Sequence, residues 1–416
     1  MADNITWYKV DNVAKVFLAT YNRRDTRSFR VCCTLKERIN PEILQQAVNL
    51  SVRERSQFQV RIHKGLFWHY LEVTDKMPVV SEEVDRPCPT LYGPEVEGQL
   101  HYKVTYWNNR INLDMFHALT DGNGGMEFLN IIVQNYLKIT HPGKFEEISM
   151  HSGASEDSLT EDSFKKFYDK KGKNDPSLPK AYQIHGLKLG YDQLQFFEIH
   201  MSASEVLKLA KAEGVSLTSY LGTRMMMALY ENMPSLQKKK PITISMPVNL
   251  RNYYPSETSR NFFNSVYVSH VFDGTENLGD LAREYDESFK QELQPERIAA
   301  RMNNYEKLEE ILFIRAVPLF IKNPVVAAFS RSENSKVSAI ISNIGKIQVP
   351  DVIKPYIEGY SSFCSSNVLF MTVSSYGDDL TFGVASPYRN TNILRQFVKG
   401  FTDNGMEVTL YATEIV

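Results

Sequence analysis

One stretch of this chain has residue types suited to acid–base chemistry: Phe116-His117-Ala118-Leu119-Thr120-Asp121-Gly122. A histidine stands where a readable β-strand ends, and an aspartate follows four residues on, beside glycine. Histidine titrates near neutral pH, so it can take a proton from an attacking hydroxyl or amine. Such a base contributes roughly 10²- to 10⁴-fold. The reaction that needs little more is acyl transfer from a thioester, whose tetrahedral intermediate puts negative charge on the former carbonyl oxygen. A donor to that oxyanion is worth roughly 3–4 kcal/mol. His117 suits the base. Asp121 is less direct, because four residues past a strand end it can point away from the imidazole and pair with an arginine elsewhere. Gly122 is expected to permit the turn into the next helix, and Gly124 and Gly125 to allow close approach of backbone or ligand.

The surrounding pattern places this stretch between two elements. Leu100, Tyr102, Val104 and Tyr106 alternate, Asn108-Asn109 signals a turn, and Ile111, Leu113 and Met115 alternate again. This predicts a hairpin over Leu100 to Phe116, with His117 at the end of its second strand and in the parity of Ile111, Leu113 and Met115. Met126, Leu129, Ile132, Val133 and Tyr136 then repeat at helical spacing.

Upstream, Asn40 caps a helix with Pro41 at its first turn and an apolar stripe from Ile43 to Leu50. Val60 to Val73 reads as strands. From His141 to Lys188 the chain turns polar, a connector with one short helix around Ser163 to Lys170. The pattern then restarts. Strands are expected at Leu194–His200, Ile242–Val248, Phe263–Val271, Val337–Ser342, Val368–Ser375 and Leu380–Ala385. Helices are expected after Ser202, over Leu217–Glu231, over Leu278–Leu293 and from Ile393 to Thr402. Gly214 ends the first of these. The two halves share a class, α/β with mixed sheets covered by helices. The expected division is a first lobe over residues 1–150, a connector over 151–190 and a second lobe over 191–416. No G-x-G-x-x-G follows a strand, so a dinucleotide fold is not expected.

Composition bounds the rest. With 416 residues, 43% hydrophobic and 12% aromatic, the chain can bury two sizeable cores. A net charge of −2 provides no field for nucleic acid, so no nucleic-acid partner is expected. Cys32, Cys33, Cys88 and Cys364 match no zinc or redox spacing and read as reduced thiols of a cytoplasmic protein. Residues Met1 to Tyr8 lack the pattern of a signal peptide. The most apolar stretch, Ile311 to Phe329, contains Arg315, Pro318, Lys322 and Pro324, which argues against a membrane span, and membrane contact is not expected. His117 and Asp121 have no third ligand in reach of a sequence argument, so no metal is expected. The Asp121 to Gly125 run lacks the Gly-Lys-Ser/Thr ending of a phosphate loop.

Phe116 to Gly122 resembles the HHxxxDG signature of the chloramphenicol acetyltransferase-like superfamily, which includes condensation domains, wax ester synthases and alcohol acyltransferases. Three further segments carry the resemblance in order. The helix from Pro41 into Arg55, with Phe58-Gln59-Val60-Arg61, resembles the family's first helix and strand. Pro247-Val248-Asn249-Leu250-Arg251, followed by Asn261-Phe262-Phe263-Asn264, resembles its P-V-x-L-R…G-N segment. Ser342-Asn343-Ile344-Gly345 with Pro350 resembles its S-N-x-G-x-x-x-P segment. The resemblance implies two lobes of the same fold forming a pseudo-dimer around a central tunnel. It implies His117 as catalytic base, Asp121 as a structural partner of Arg251, and Ser342 and Asn343 near the tunnel wall as oxyanion or lining candidates. Acyl-CoA or an acyl-carrier thioester would be co-substrate, with a small-molecule hydroxyl or amine as acceptor and no permanently bound cofactor. Phe116 replaces the signature's first histidine, a change shared with alcohol-acyltransferase branches, and no D-F-G-W-G segment of the plant-type branch is present. Arg251 can also be read as a surface ion pair, Ser342 and Asn343 as a turn closure. A non-catalytic binding or scaffold protein on the same fold is the rival reading.

Overall fold

In the computed structural model, residues 7–145, 148, 155–169, 177–191, 193–310 and 317–413 are described, with backbone alone at 156 and 304–310. The first half runs β1 (Trp7–Lys9), α1 (Asn12–Thr20), β2 (Ser28–Leu35), α2 (Pro41–Glu54), β3 (Val60–Lys64), β4 (His69–Val73), β5 (Ser81–Glu82), β6 (Tyr102–Trp107), β7 (Arg110–Phe116) and α3 (Gly122–Thr140). Two short helices follow in the connector, α4 (Glu156–Thr160) and α5 (Ser163–Phe167). The second half runs β8 (Gln195–Ser202), α6 (Ala203–Ala212), α7 (Leu217–Glu231), β9 (Ile242–Asn249), β10 (Phe263–His270), α8 (Leu278–Glu292), α9 (Pro295–Glu310), α10 (Leu319–Asn334), β11 (Ala339–Lys346), β12 (Ile357–Cys364), β13 (Leu369–Tyr376), β14 (Asp379–Ser386), α11 (Asn392–Thr402) and β15 (Thr409–Ala412).

The strands form a five-stranded sheet in the order β12-β2-β7-β6-β5, a seven-stranded sheet in the order β10-β9-β11-β13-β14-β8-β15, and a small sheet β1-β4-β3. Each large sheet has its own apolar core. In the first, α2 and α3 lay Leu44, Val48, Phe128, Leu129 and Ile132 onto Val31, Val104 and Leu113. In the second, α7 and α11 bury Leu221, Met225, Leu229 and Phe397 over Ile244, Ile341, Met371 and Phe382. The mixed α/β class and the hairpin β6–β7 follow the alternation closely, because a half-buried strand must place every second residue on the core.

Strand β12 departs from that simple division. It lies in sequence between β11 and β13, yet it pairs antiparallel with β2, Tyr360 opposite Cys33. The second half therefore lends a strand to the first half's sheet. Gly383 on β14 lets β12 pass, since a Cβ there would stand 1.6 Å from the Ser362 carbonyl oxygen. Beside this crossing, Arg110 on β7 donates to Glu198 on β8 at 2.8 Å and also to Ser361. Glu198 pairs in turn with His200, which hydrogen-bonds Asp379. Burial opposes the charge on His200, but its bonds to Asp379 and Glu198 outweigh it and lift its pKa to about 9. A charged chain thus ties the two large sheets together.

The apolar run Ile311–Phe329 falls in part outside the described residues, at 311–316; from Leu319 it forms α10, with Pro324 inside the helix and Phe320, Val325 and Phe329 exposed. No described helix is long and apolar enough to cross a membrane. All four cysteines are free and buried. The short helix expected to reach Lys170 stops at Phe167, and position 170 lies outside the described residues.

Candidate active site

The end of β7 divides two neighbouring aromatic residues between two faces. Phe116 is fully buried and stacks on Tyr92 at 4.9 Å, so the residue in the place of the signature's first histidine serves the core. His117 turns to the other side. Its backbone N–H donates to Arg27 O at 2.8 Å, which pins its position beside the start of β2.

The imidazole lies in an aromatic cage. Phe17 of α1 stacks on it at 4.4 Å, Phe29 of β2 meets it edge-on at 5.0 Å, and Phe263 of β10 tilts toward it at 5.6 Å. Its Nδ1 is 3.1 Å from Asn261 Oδ1. The same amide's Nδ2 donates to His117 O at 2.9 Å and to Asp11 Oδ2 at 3.3 Å. Those two acceptors use both Nδ2 hydrogens, so the Asn261 oxygen must face Nδ1. Nδ1 therefore carries the proton, and Nε2 keeps its lone pair. Burial pushes the His117 pKa below its usual value, against smaller opposing effects of Asp121 and Asn261. A neutral imidazole with a basic Nε2 is the form a general base needs.

Asp121 is the N-cap of α3, and its Oδ1 accepts from Gly124 N at 3.1 Å. Its Oδ2 accepts from Arg251 Nη1 at 2.7 Å and from Phe262 N at 2.9 Å. None of these bonds comes from His117, so the carboxylate holds the turn and does not touch the imidazole. Arg251 is fully engaged: it donates also to Thr258 O, to Arg260 O at 2.7 Å and to Asn249 Oδ1 at 3.1 Å. Its reading as a surface ion pair is thereby corrected, since both partners' side chains are nearly buried, at 11% and 6% exposure. Thr120 completes the clasp by donating to Ser259 O. The segment 258–262 of the second half thus wraps the turn 117–121 of the first.

The glycines divide differently from the expectation. Gly122 is the first helical residue, its φ is not in the left-handed region, and a Cβ there would meet nothing within 4 Å. The turn does not require glycine at that position. Gly124 and Gly125 are the constrained ones: a Cβ would fall 2.2 Å from Thr120 Oγ1 and 2.7 Å from Ser259 O at the first, and 2.5 Å from the Phe29 ring at the second. Gly124→Ala should accordingly destabilise the protein by about 2 kcal/mol or more through the strained clasp. Gly122→Ala should leave the melting temperature unchanged or slightly raised, since alanine suits a helix better. Thermal melts of the two variants check this; equal losses would contradict it.

Of the residues read from sequence, the structure brings together His117, Asp121, Gly122 and Arg251. Ser342 and Asn343 are not joined to His117 by any hydrogen bond among the described residues. Asn343 donates to Thr218 Oγ1 at 2.8 Å and accepts from Gly345 N at 2.9 Å, closing the irregularity in β11. Its amide serves the turn. Two residues were missed as partners of His117, Asn261 and Phe17. Asn261 stood in a segment noted for its resemblance, but an amide 144 positions from its histidine leaves no spacing signal. One small cavity is lined by Phe58, Leu119 and Ser259 and another by Phe197, Leu369 and Tyr388; His117 does not line these two.

No family model matches the chain, and no curated protein does either. Solved structures do. TRI101 of F. graminearum, solved with coenzyme A and T-2 mycotoxin, aligns with a TM-score of 0.63 at 12% identity over 97% of this chain and 99% of its own. Polyketide synthase associated protein 5 from Mycobacterium tuberculosis aligns with a TM-score of 0.60 at 13% identity, over 94% and 96%. The starter condensation domain of rhizomide synthetase, solved with C8-CoA and Leu-SNAC, aligns with a TM-score of 0.62 at 10% identity, over 95% and 93%. The chain shares the fold of these structures over nearly its full length.

Proposed function

We propose that the protein is an acyltransferase that moves an acyl group from acyl-CoA, or from an acyl thioester on a carrier protein, to a hydroxyl or amine of a small-molecule acceptor. The observation that carries the reading is the state of His117. Asn261 holds the proton on Nδ1, and burial keeps the ring neutral, so Nε2 is free to accept a proton. The acceptor's O–H or N–H proton passes to Nε2 as its heteroatom attacks the thioester carbonyl. Backbone N–H groups after His117 receive the oxyanion. When the intermediate collapses, the C–S bond breaks, the thiolate takes the proton from Nε2, and the neutral base is restored. Asp121 and Arg251 hold the turn that presents His117. Among the fold's users, an O-acyltransferase of the alcohol acetyltransferase kind suits the replaced first histidine at Phe116. The donor and acceptor would meet in a tunnel where the two lobes join, and the cytoplasm would supply the thioester.

The test is release of thiol. Purified protein is incubated with acetyl-, octanoyl- and palmitoyl-CoA, and with the matching N-acetylcysteamine thioesters, each with a mixture of alcohols and amines. Acceptor-dependent release of free thiol with at least one donor is expected.

A second reading, a recognition protein on the same fold, is favoured by one observation. Phe17 stacks on one face of the imidazole at 4.4 Å. Acyl-CoA that binds without thiol release under any combination would support that reading over the first.

A further inference from the structure

We infer that Asp11 is a positioning residue for the base, and that α1 as a whole is the element that sets the state of His117. The inference rests on the reading of His117 as the base. Asp11 is almost fully buried, and its two carboxylate oxygens have separate duties. Oδ1 caps α1 by accepting from Ala14 N at 2.7 Å. Oδ2 accepts from Asn261 Nδ2 at 3.3 Å. Six residues on, the same helix lays Phe17 on the imidazole. One short helix therefore contacts His117 twice, directly through a ring and indirectly through an amide.

The chemistry requires a carboxylate at position 11. Both of its neighbours are N–H donors, the Ala14 amide and the Asn261 side chain, so both of its oxygens must accept. An asparagine there has one acceptor and one donor. If its oxygen keeps the helix cap, its NH2 faces the NH2 of Asn261. Turning the Asn261 amide over would end that conflict and put its NH2 against Nδ1 of His117, but would give up its bond to the His117 carbonyl, so the two neighbours that now agree on the amide's orientation would oppose each other. With the amide turned over, the proton would move to Nε2, and the lone pair needed for base catalysis would be lost. The cost of keeping Asp11 out of water is visible in its pKa, which burial pushes up to about 6 despite its bonds to Ala14 and Asn261 and the nearby Arg260. The helix cap occupies one of its two oxygens, and the other faces Asn261.

The test reads the tautomer without any enzymatic assay. Protein with ¹⁵N-labelled histidine is examined at pH 8 by long-range ¹H–¹⁵N correlation, and the His117 signals among the nine histidines are assigned by their loss in His117→Ala. The parent should show a single Nδ1–H form. Asp11→Asn should shift His117 toward the Nε2–H form. Asp11→Ser keeps a cap but is too short to reach Asn261, and with the His117 carbonyl alone left to orient that amide it should show a smaller share of the Nε2–H form than Asp11→Asn. Retention of a pure Nδ1–H form in either folded variant would overturn the inference. Should Asp11→Asn fail to fold, Asp11→Ser alone decides. The outcome is separate from that of the proposed function: an intact Nδ1–H form that responds to Asp11, in a protein that releases no thiol, would uphold the positioning role and reject the acyltransferase.

Discussion

Replacing Asp121 with alanine is expected to lower the unfolding free energy by about 4 kcal/mol. Two losses add. The near-buried Arg251 guanidinium is left without its carboxylate partner at 2.7 Å, and breaking a buried pair costs roughly 3–5 kcal/mol. The loss falls at the low end here, because Arg251 keeps its bonds to the Thr258 and Arg260 carbonyls. The cap of α3 is also removed, worth about 1 kcal/mol. Asp121→Asn should cost less, since an amide oxygen can still accept from Gly124 N or from Phe262 N. Urea unfolding monitored by circular dichroism measures both. Midpoints equal to the parent's would show that this pair does not hold the halves together at the turn.

Replacing His117 with alanine is expected to lower the acyl-transfer rate by roughly 10²- to 10⁴-fold, the range a positioned base supplies. The melting temperature should fall only modestly. The imidazole's side-chain partner is the Asn261 amide, which keeps its bonds to the backbone oxygen at position 117 and to Asp11. The space left among Phe17, Phe29 and Phe263 costs packing, but the backbone pairing to Arg27 does not depend on the side chain. The two substitutions thus separate the roles. Asp121 answers mainly to stability, and His117 mainly to rate.

Much of this was legible in the residues. The helix Leu217–Glu231 has the bounds its pattern implies, and Asn108-Asn109 makes the turn of the β6–β7 hairpin. Strong periodicity and turn chemistry are local, and local signals survive in a sequence. The pairing of β12 with β2 was not legible, because alternation shows that a strand exists and not which sheet takes it. Helix α1 was overlooked as well. It is nine residues long, its apolar spacing is mixed, and its cap residue spends its second oxygen on Asn261. The site shows the same division. His117 and Asp121 were readable from their spacing and Arg251 from a resemblance. Asn261, which hydrogen-bonds His117 Nδ1, reaches it by a contact across the two halves that no spacing encodes.

The central claim is that the Nε2 of His117 accepts the acceptor's proton. Its most direct measurement is the pH dependence of kcat/KM for thiol release, taken on the parent and on His117→Ala with the same donor and acceptor. Because burial lowers the His117 pKa, the parent's rate should rise with pH on a limb centred below the ordinary histidine value of about 6.5. In His117→Ala that limb should vanish, together with at least 10²-fold of the rate. A variant that keeps both the limb and the rate would contradict the account.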